Sequence, residues 1–119
     1  MSKFLYEILV PTKYGDTVKP IKTRHHKEWD KRIQRITGGL TILAPGKGKW
    51  VYKGVEYPEK VIPVRVMCSE DDIEMSIELT IQHYRQTAVM YYELSRNVHV
   101  VYAKGKEPAP EPKIYTMGG

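Results

Sequence analysis

At 119 residues the chain has the size of one domain, with room for a hydrophobic core but not for one that also encloses a sizeable ligand. Lys and Arg outnumber Asp and Glu by 19 to 14, a formal net charge of +5 that permits contact with phosphate or nucleic acid but requires neither. A single cysteine, Cys68, excludes a disulfide framework and the usual zinc sites. The apolar runs are of strand length, far short of the ~20 residues of a membrane span. No charged-then-apolar leader pattern opens the chain, so a reducing cytoplasmic location is expected.

In chain order, Leu5 to Val10 reads as a buried strand closed by Pro11. Residues 12–22 read as a loop, with Thr23 as the N-cap of a first helix. Trp29, Ile33 and Ile36 recur at helical spacing, and Gly38 and Gly39 end the helix. Leu40 to Leu43 restarts a strand. Gly46 to Lys49 reads as a loop or hairpin tip, with Trp50 to Tyr52 a second extended piece and a polar loop from Tyr52 to Glu59. Val61 to Met67 alternates as a strand, and Pro63 argues for a sheet edge or a strand start.

The second helix carries the strongest signals. Ser69 caps it, Asp72 follows three residues later, and Glu70, Asp71 and Asp72 complement the helix dipole. Ile73, Ile77, Ile81 and Tyr84 make its apolar stripe. Ala88 to Leu94 and Val98 to Ala103 read as strands joined by a short connection at Ser95 to Asn97. Residues 1–105 thus form one β-α-β-β-α-β domain, and the Pro-rich stretch 106–119 reads as a disordered tail. The pattern predicts an α+β fold, a ferredoxin-like sandwich with an antiparallel sheet and two helices on one face. The open face, carrying Tyr6, Tyr91 and Tyr102, would be buried against other subunits.

Little in the sequence provides chemistry. Gly46 to Lys49 offers backbone N–H groups and two ammonium groups to a phosphate, but lacks the P-loop spacing. His25 and His26 point about 100° apart on a regular helix, and the expected setting is a solvated helix start with no metal site. The segment from Tyr52 to Glu59 brings two carboxylates and two phenols together, suited to ribose hydroxyls. Cys68 and Ser95 have no activating base at a recognisable spacing.

The runs Phe4 to Val10, Thr23-Arg24-His25-His26, Val64-Arg65-Val66-Met67-Cys68 and Val101-Tyr102-Ala103-Lys104-Gly105, in this order and spacing, resemble the phage-encoded S-adenosylmethionine-degrading enzymes. These were first called hydrolases and later understood as lyases. The resemblance spans residues 4–105. It implies a GlnB-like (PII-related) α/β sandwich assembled as a homotrimer, with active sites between subunits. The implied reaction is intramolecular cleavage of S-adenosylmethionine to 5′-methylthioadenosine and homoserine lactone. The implied role is phage counter-defence by depletion of the methyl donor in the host cytoplasm.

No cofactor is implied, S-adenosylmethionine being the substrate, and neither a membrane nor nucleic acid is required. Carried over to this chain, the family's acidic residue falls on Glu59, with Tyr52 or Tyr57 as the accompanying phenol. Arg65, Lys104 and His26 are the implied substrate contacts. The family has a pair of acids where Lys60 follows Glu59 here. The alternative is a non-catalytic nucleotide-binding oligomer, PII-like or a sponge, with Lys47, Lys49 and Lys104 on phosphates.

Overall fold

The computed structural model describes residues 3–15, 17 and 19–106. The elements run β1 (Phe4–Pro11), α1 (Thr23–Thr37), β2 (Thr41–Ile42), β3 (Gly46–Tyr52), β4 (Val55–Cys68), α2 (Glu70–Tyr84) and β5 (Tyr91–Ser95). The strands form one antiparallel sheet in the order β2-β4-β1-β5, with β3 also paired to β4. Both helices pack on one face, which makes the fold the expected α+β sandwich. The Pro-rich stretch from residue 107 onward lies outside the described residues. Among the described residues no helix is long and apolar enough to cross a membrane.

Strand periodicity builds the core. Side chains alternate across a strand, so Tyr6, Ile8 and Val10 of β1 join Val64 and Val66 of β4 beneath Trp29 and Ile33 of α1 and Ile73 of α2. The α1 stripe is Trp29, Ile33 and Thr37, with Ile36 only half-buried. On α2 the buried stripe is Ile73, Ser76, Thr80 and Tyr84, whereas Ile77 and Ile81 are half-buried at its margin. Hydroxyls can occupy this seam because their hydrogen bonds are met there. Ser76 donates to the Asp72 carbonyl at 2.7 Å, and Thr80 donates to the Ser76 carbonyl at 2.6 Å. Thr80 also accepts the Trp29 indole N–H at 3.0 Å. Small side chains let the helices approach, and among the described residues no buried side-chain nitrogen or oxygen lacks a hydrogen bond.

Several local expectations are corrected. Thr23 is the first helical residue, not the cap. Lys22 is the N-cap and makes no side-chain cap hydrogen bond. Ser69 does cap α2, accepting the Asp72 N–H at 3.2 Å. Pro63 sits inside the 14-residue strand β4, paired with Leu9. Its carbonyl accepts the Leu43 N–H at 2.9 Å, and a residue's N and C=O point to the same side of a strand. The missing N–H therefore faces the gap where β2 gives way to β3 and removes no bond to β1.

Gly46 to Lys49, Tyr52 and Val55 to Glu59 are strand rather than loop, and only Lys53 and Gly54 between them form a turn. Lys53 and Gly54 both have positive φ, 51° and 76°, as a tight hairpin turn requires. That turn folds β3 back along β4, pairing Gly48 with Glu59 and Tyr52 with Val55.

At the other end of the chain, β5 begins at Tyr91, and Val98 to Ala103 forms no strand. Val100, Val101 and Tyr102 are 55%, 89% and 47% exposed. The β-forming residues are present, but the turn after Ser95 does not return them to a hydrogen-bonding neighbour. Tyr6 and Tyr91 lie on the helix-covered face. Tyr6 is buried in the core, and Tyr91 pairs with Ile8 while its ring packs edge-on to Tyr6.

At the start of α1, Thr23 and Arg24 are exposed but the two histidines that follow are not freely solvated. This part of α1 meets the end of α2, and both histidines are half-buried there. His26 Nδ1 lies 2.7 Å from the Tyr84 hydroxyl. Burial holds the Tyr84 phenol far above its ordinary range, so it stays protonated and donates to His26. Burial, then the neighbouring His25 and His83, lower the His26 pKa below 6.5. Protonating Nδ1 would set two donors against each other.

A pKa lowered by folding means that the unfolded chain takes up the proton first. Stability is therefore full above about pH 6.5 and falls as pH drops through the folded pKa. Thermal melts should be flat from pH 8 to 7 and decline between pH 7 and 5. His26→Gln should reduce that slope. A slope unchanged by the substitution would remove His26 from the effect.

Candidate functional site

The outer part of β4, residues 57–60, runs past the end of β1 and the segment that follows α2. These surfaces bound an open cleft of about 670 Å³, within the range of small-molecule sites. Its walls are tied together. The Thr12 hydroxyl donates to the Lys60 carbonyl at 2.8 Å, and the Gln86 amide donates to the Lys13 carbonyl at 3.2 Å. Lys13 and Lys60 supply positive charge, and among the described lining residues Glu59 is the only carboxylate.

Glu59 and Tyr57, two apart on β4, point to the same side of the strand. Glu59 is half-buried and Tyr57 is 51% exposed. A carboxylate can accept two hydroxyl hydrogens and a phenol can donate one, so the pair suits a polyhydroxylated ligand such as a ribose. Of the two phenols the sequence leaves open, Tyr57 shares the cleft with Glu59. Tyr52 is at the hairpin tip beside Val55, 64% exposed, roughly 13 Å along β4 from Glu59 at ~3.3 Å per residue.

The remaining expected contacts lie elsewhere in the single chain. Arg65 is six positions beyond Glu59, roughly 20 Å along the strand, and lines a separate cavity of about 500 Å³. Its Nε donates to Glu7 Oε1 at 3.1 Å. The other Glu7 oxygen accepts the Tyr92 hydroxyl, and that bond, followed by burial, raises the Tyr92 pKa. Lys104 is exposed after the strandless segment, and His26 is held by Tyr84 between the helices.

Glu7 itself escaped sequence reasoning. The available signal is a lone carboxylate inside the apolar run Phe4 to Val10. Its side chain is almost fully buried, satisfied by Arg65 and Tyr92 on the sheet face away from the helices.

The sequence matches no protein-family profile and no curated protein. Solved structures do match. CutA from Xylella fastidiosa aligns with a TM-score of 0.62 at 10% identity, covering 84% of this chain and 88% of that one. The chain shares its fold. The periplasmic divalent cation tolerance protein CutA from Archaeoglobus fulgidus aligns with a TM-score of 0.59 at 10% identity, over 86% and 89% of the two chains. A phage SAM lyase in complex with S-methyl-5′-thioadenosine aligns with a TM-score of 0.56 at 15% identity, over 89% of this chain and 94% of that one. The common element among the three is the α+β sandwich described above.

Proposed function

We propose that the chain is an S-adenosylmethionine lyase whose substrate occupies the Tyr57–Glu59 cleft. The observation that carries this reading is the near full-length likeness to a phage SAM lyase structure holding S-methyl-5′-thioadenosine, the thioether this reaction would release. In the reaction a carboxylate oxygen of the substrate attacks its own γ-carbon and closes the lactone ring. The bond from that carbon to the sulfonium breaks, and its electron pair leaves on sulfur as neutral 5′-methylthioadenosine.

No protein nucleophile is consumed, and no cofactor is needed. That suits a chain whose hydroxyls and imidazoles at the helices are engaged in structural bonds, Ser69 with Asp72, Ser76 with Asp72, and His26 with Tyr84. The protein's task is to hold a near-attack conformer and keep water away. Glu59 would take the ribose hydroxyls and its charge would attract the sulfonium, with Tyr57 orienting the sugar.

The cleft is open in the single chain, and a homotrimer would complete it from a neighbouring subunit. The exposed Val51, Tyr52 and Val55 of the β3–β4 arm and the unpaired run Val100 to Tyr102 are apolar surface suited to such contacts. Arg65, Lys104, His26 and Tyr52 could then reach a site from a different subunit. In a phage-infected cell the activity would deplete the methyl donor in the host cytoplasm.

A second reading, a non-catalytic nucleotide binder, is favoured by Lys13 and Lys60 at the same cleft. Lys47 and Lys49 lie instead on β3. One assay separates the two readings: incubation with S-adenosylmethionine, with products resolved by chromatography and proton NMR. Methylthioadenosine with homoserine lactone is the expected result. Unchanged substrate, together with a phosphate-dependent rise in melting temperature on adding nucleotides, would overturn the lyase reading.

A further inference from the structure

Where the two helices meet, His25 of α1 and His83 of α2 stack, with ring centroids 3.8 Å apart and planes 15° off parallel. Each ring reaches the other's backbone. His25 Nε2 is 2.7 Å from the His83 carbonyl, and His83 Nε2 is 2.8 Å from the His25 carbonyl. A carbonyl only accepts, so each Nε2 carries a hydrogen, and in the neutral rings both lone pairs sit on Nδ1. Arg32 Nη1, a donor, lies 3.3 Å from His83 Nδ1 and fits a lone pair there. Glu28 Oε2 lies 3.7 Å from His25 Nδ1, so in the neutral ring two acceptors face each other, an arrangement a cation between them would relieve. One ligating atom from each of His25, Glu28 and His83 falls within 4.8 Å of the others.

We propose that His25, Glu28 and His83 bind a divalent transition-metal cation, Zn2+ being the type ion. The donor set, two neutral imidazoles and a carboxylate, is one that zinc takes with solvent completing the shell. Tetrahedral bonds of ~2.1 Å put ligand atoms about 3.4 Å apart, so closure asks for movement on the order of 1 Å and for the stacked rings to turn out of parallel, because each lone pair lies in its own ring plane. A metal-bound imidazole is usually oriented by a hydrogen bond from its other nitrogen, and the reciprocal carbonyl bonds already provide this for both rings. Arg32 is the competitor. It must leave His83 Nδ1 as the ion enters, so its charge weakens the site. The 58 positions separating the histidines hide the site from any spacing rule, and the sequence expectation of no metal site followed from that. The three ligands are not among the residues lining the substrate cleft, and the proposal does not depend on the lyase reading.

The test uses the full-length protein, stripped with chelator and titrated with Zn2+ by calorimetry and with Co2+ by visible absorption. One ion per chain is expected, with a raised melting temperature that EDTA reverses. Glu28→Gln, at an exposed side chain that cannot unfold the protein, should weaken binding about tenfold or more. His83→Ala should abolish the cobalt spectrum. Arg32→Ala should tighten binding, and His99→Ala, at an exposed histidine outside the cluster, should change nothing. A purely structural pair of stacked rings would give no saturable uptake. Uptake that survives both Glu28→Gln and His83→Ala would put the ion elsewhere. Either result overturns the proposal.

Discussion

Replacing Glu59 with glutamine is expected to lower S-adenosylmethionine turnover by a factor of about 100 while leaving assembly and melting temperature unchanged. Removing one preorganised polar group from an active site typically costs that much. The substitution keeps the shape of the side chain but halves its acceptor capacity and removes its charge. The charge is the point. The proposed substrate is a sulfonium, the chain carries an excess of five positive charges, and Lys13 and Lys60 line the same cleft. Without Glu59 the described cleft lining would be cationic and would repel the substrate at the reacting end. The deficit should appear in both kcat and KM, because the carboxylate contacts substrate in the ground state as well as in the transition state. Tyr57→Phe should give a smaller loss of the same kind. Turnover within twofold of wild type in Glu59→Gln would remove this residue from the site and send the search to the Glu7, Arg65 and Tyr92 cluster.

Trp29→Ala is expected to destabilise the fold by about 4 kcal/mol, the middle of the range for truncating a buried tryptophan. Its ring is 1% exposed and wedged against Ile33, Tyr84 and the sheet. Its indole N–H joins the two helices with a buried hydrogen bond, at 3.0 Å to Thr80. A domain of this size has a total stability of only about 5–15 kcal/mol, so the melting temperature should fall by roughly 15 °C or more. Trp29→Phe separates the two contributions. It keeps most of the ring and loses the hydrogen bond, so it should cost about 1 kcal/mol or slightly more. Equal losses in the two variants, measured by chemical denaturation, would mean that the polar bond and not the packed ring holds the helices together.

The legible parts of this chain are those governed by local rules. The helix from Glu70 was readable because Ser69, three acids and a regular apolar recurrence all agree. The end of α1 was readable because Gly38 adopts a positive φ, at 88°, that favours glycine. β1 was readable as a short apolar run closed by Pro11. Harder were the places where a neighbour decides. The Lys47 run has the glycine and lysine content of a loop, yet it pairs along β4 because Lys53 and Gly54 turn the chain back upon it. Val98 to Ala103 has the composition of a strand, yet no strand beside it. Pro63 looks like an edge residue and is central, because which side of a strand lacks a partner is a property of the sheet, not of the residue.

The candidate sites divide in the same way. Tyr57 and Glu59 are two apart in one strand, so their common direction followed from sequence once that strand was known. The choice of Tyr57 over Tyr52 needed the hairpin register. Glu7 with Arg65 and His25 with His83 are partners 58 positions apart, joined only when β1 pairs with β4 and α1 packs against α2.

By itself the sequence determined the α+β class, the extent of both helices and the presence of an acid–phenol pair, because these rest on periodicity, caps and near neighbours. The tertiary structure alone decided which phenol shares a cleft with Glu59, which polar groups are buried as partners, and where a strand-forming segment is left without a strand. These depend on contacts between distant segments, whose geometry is set by the packing of the whole chain.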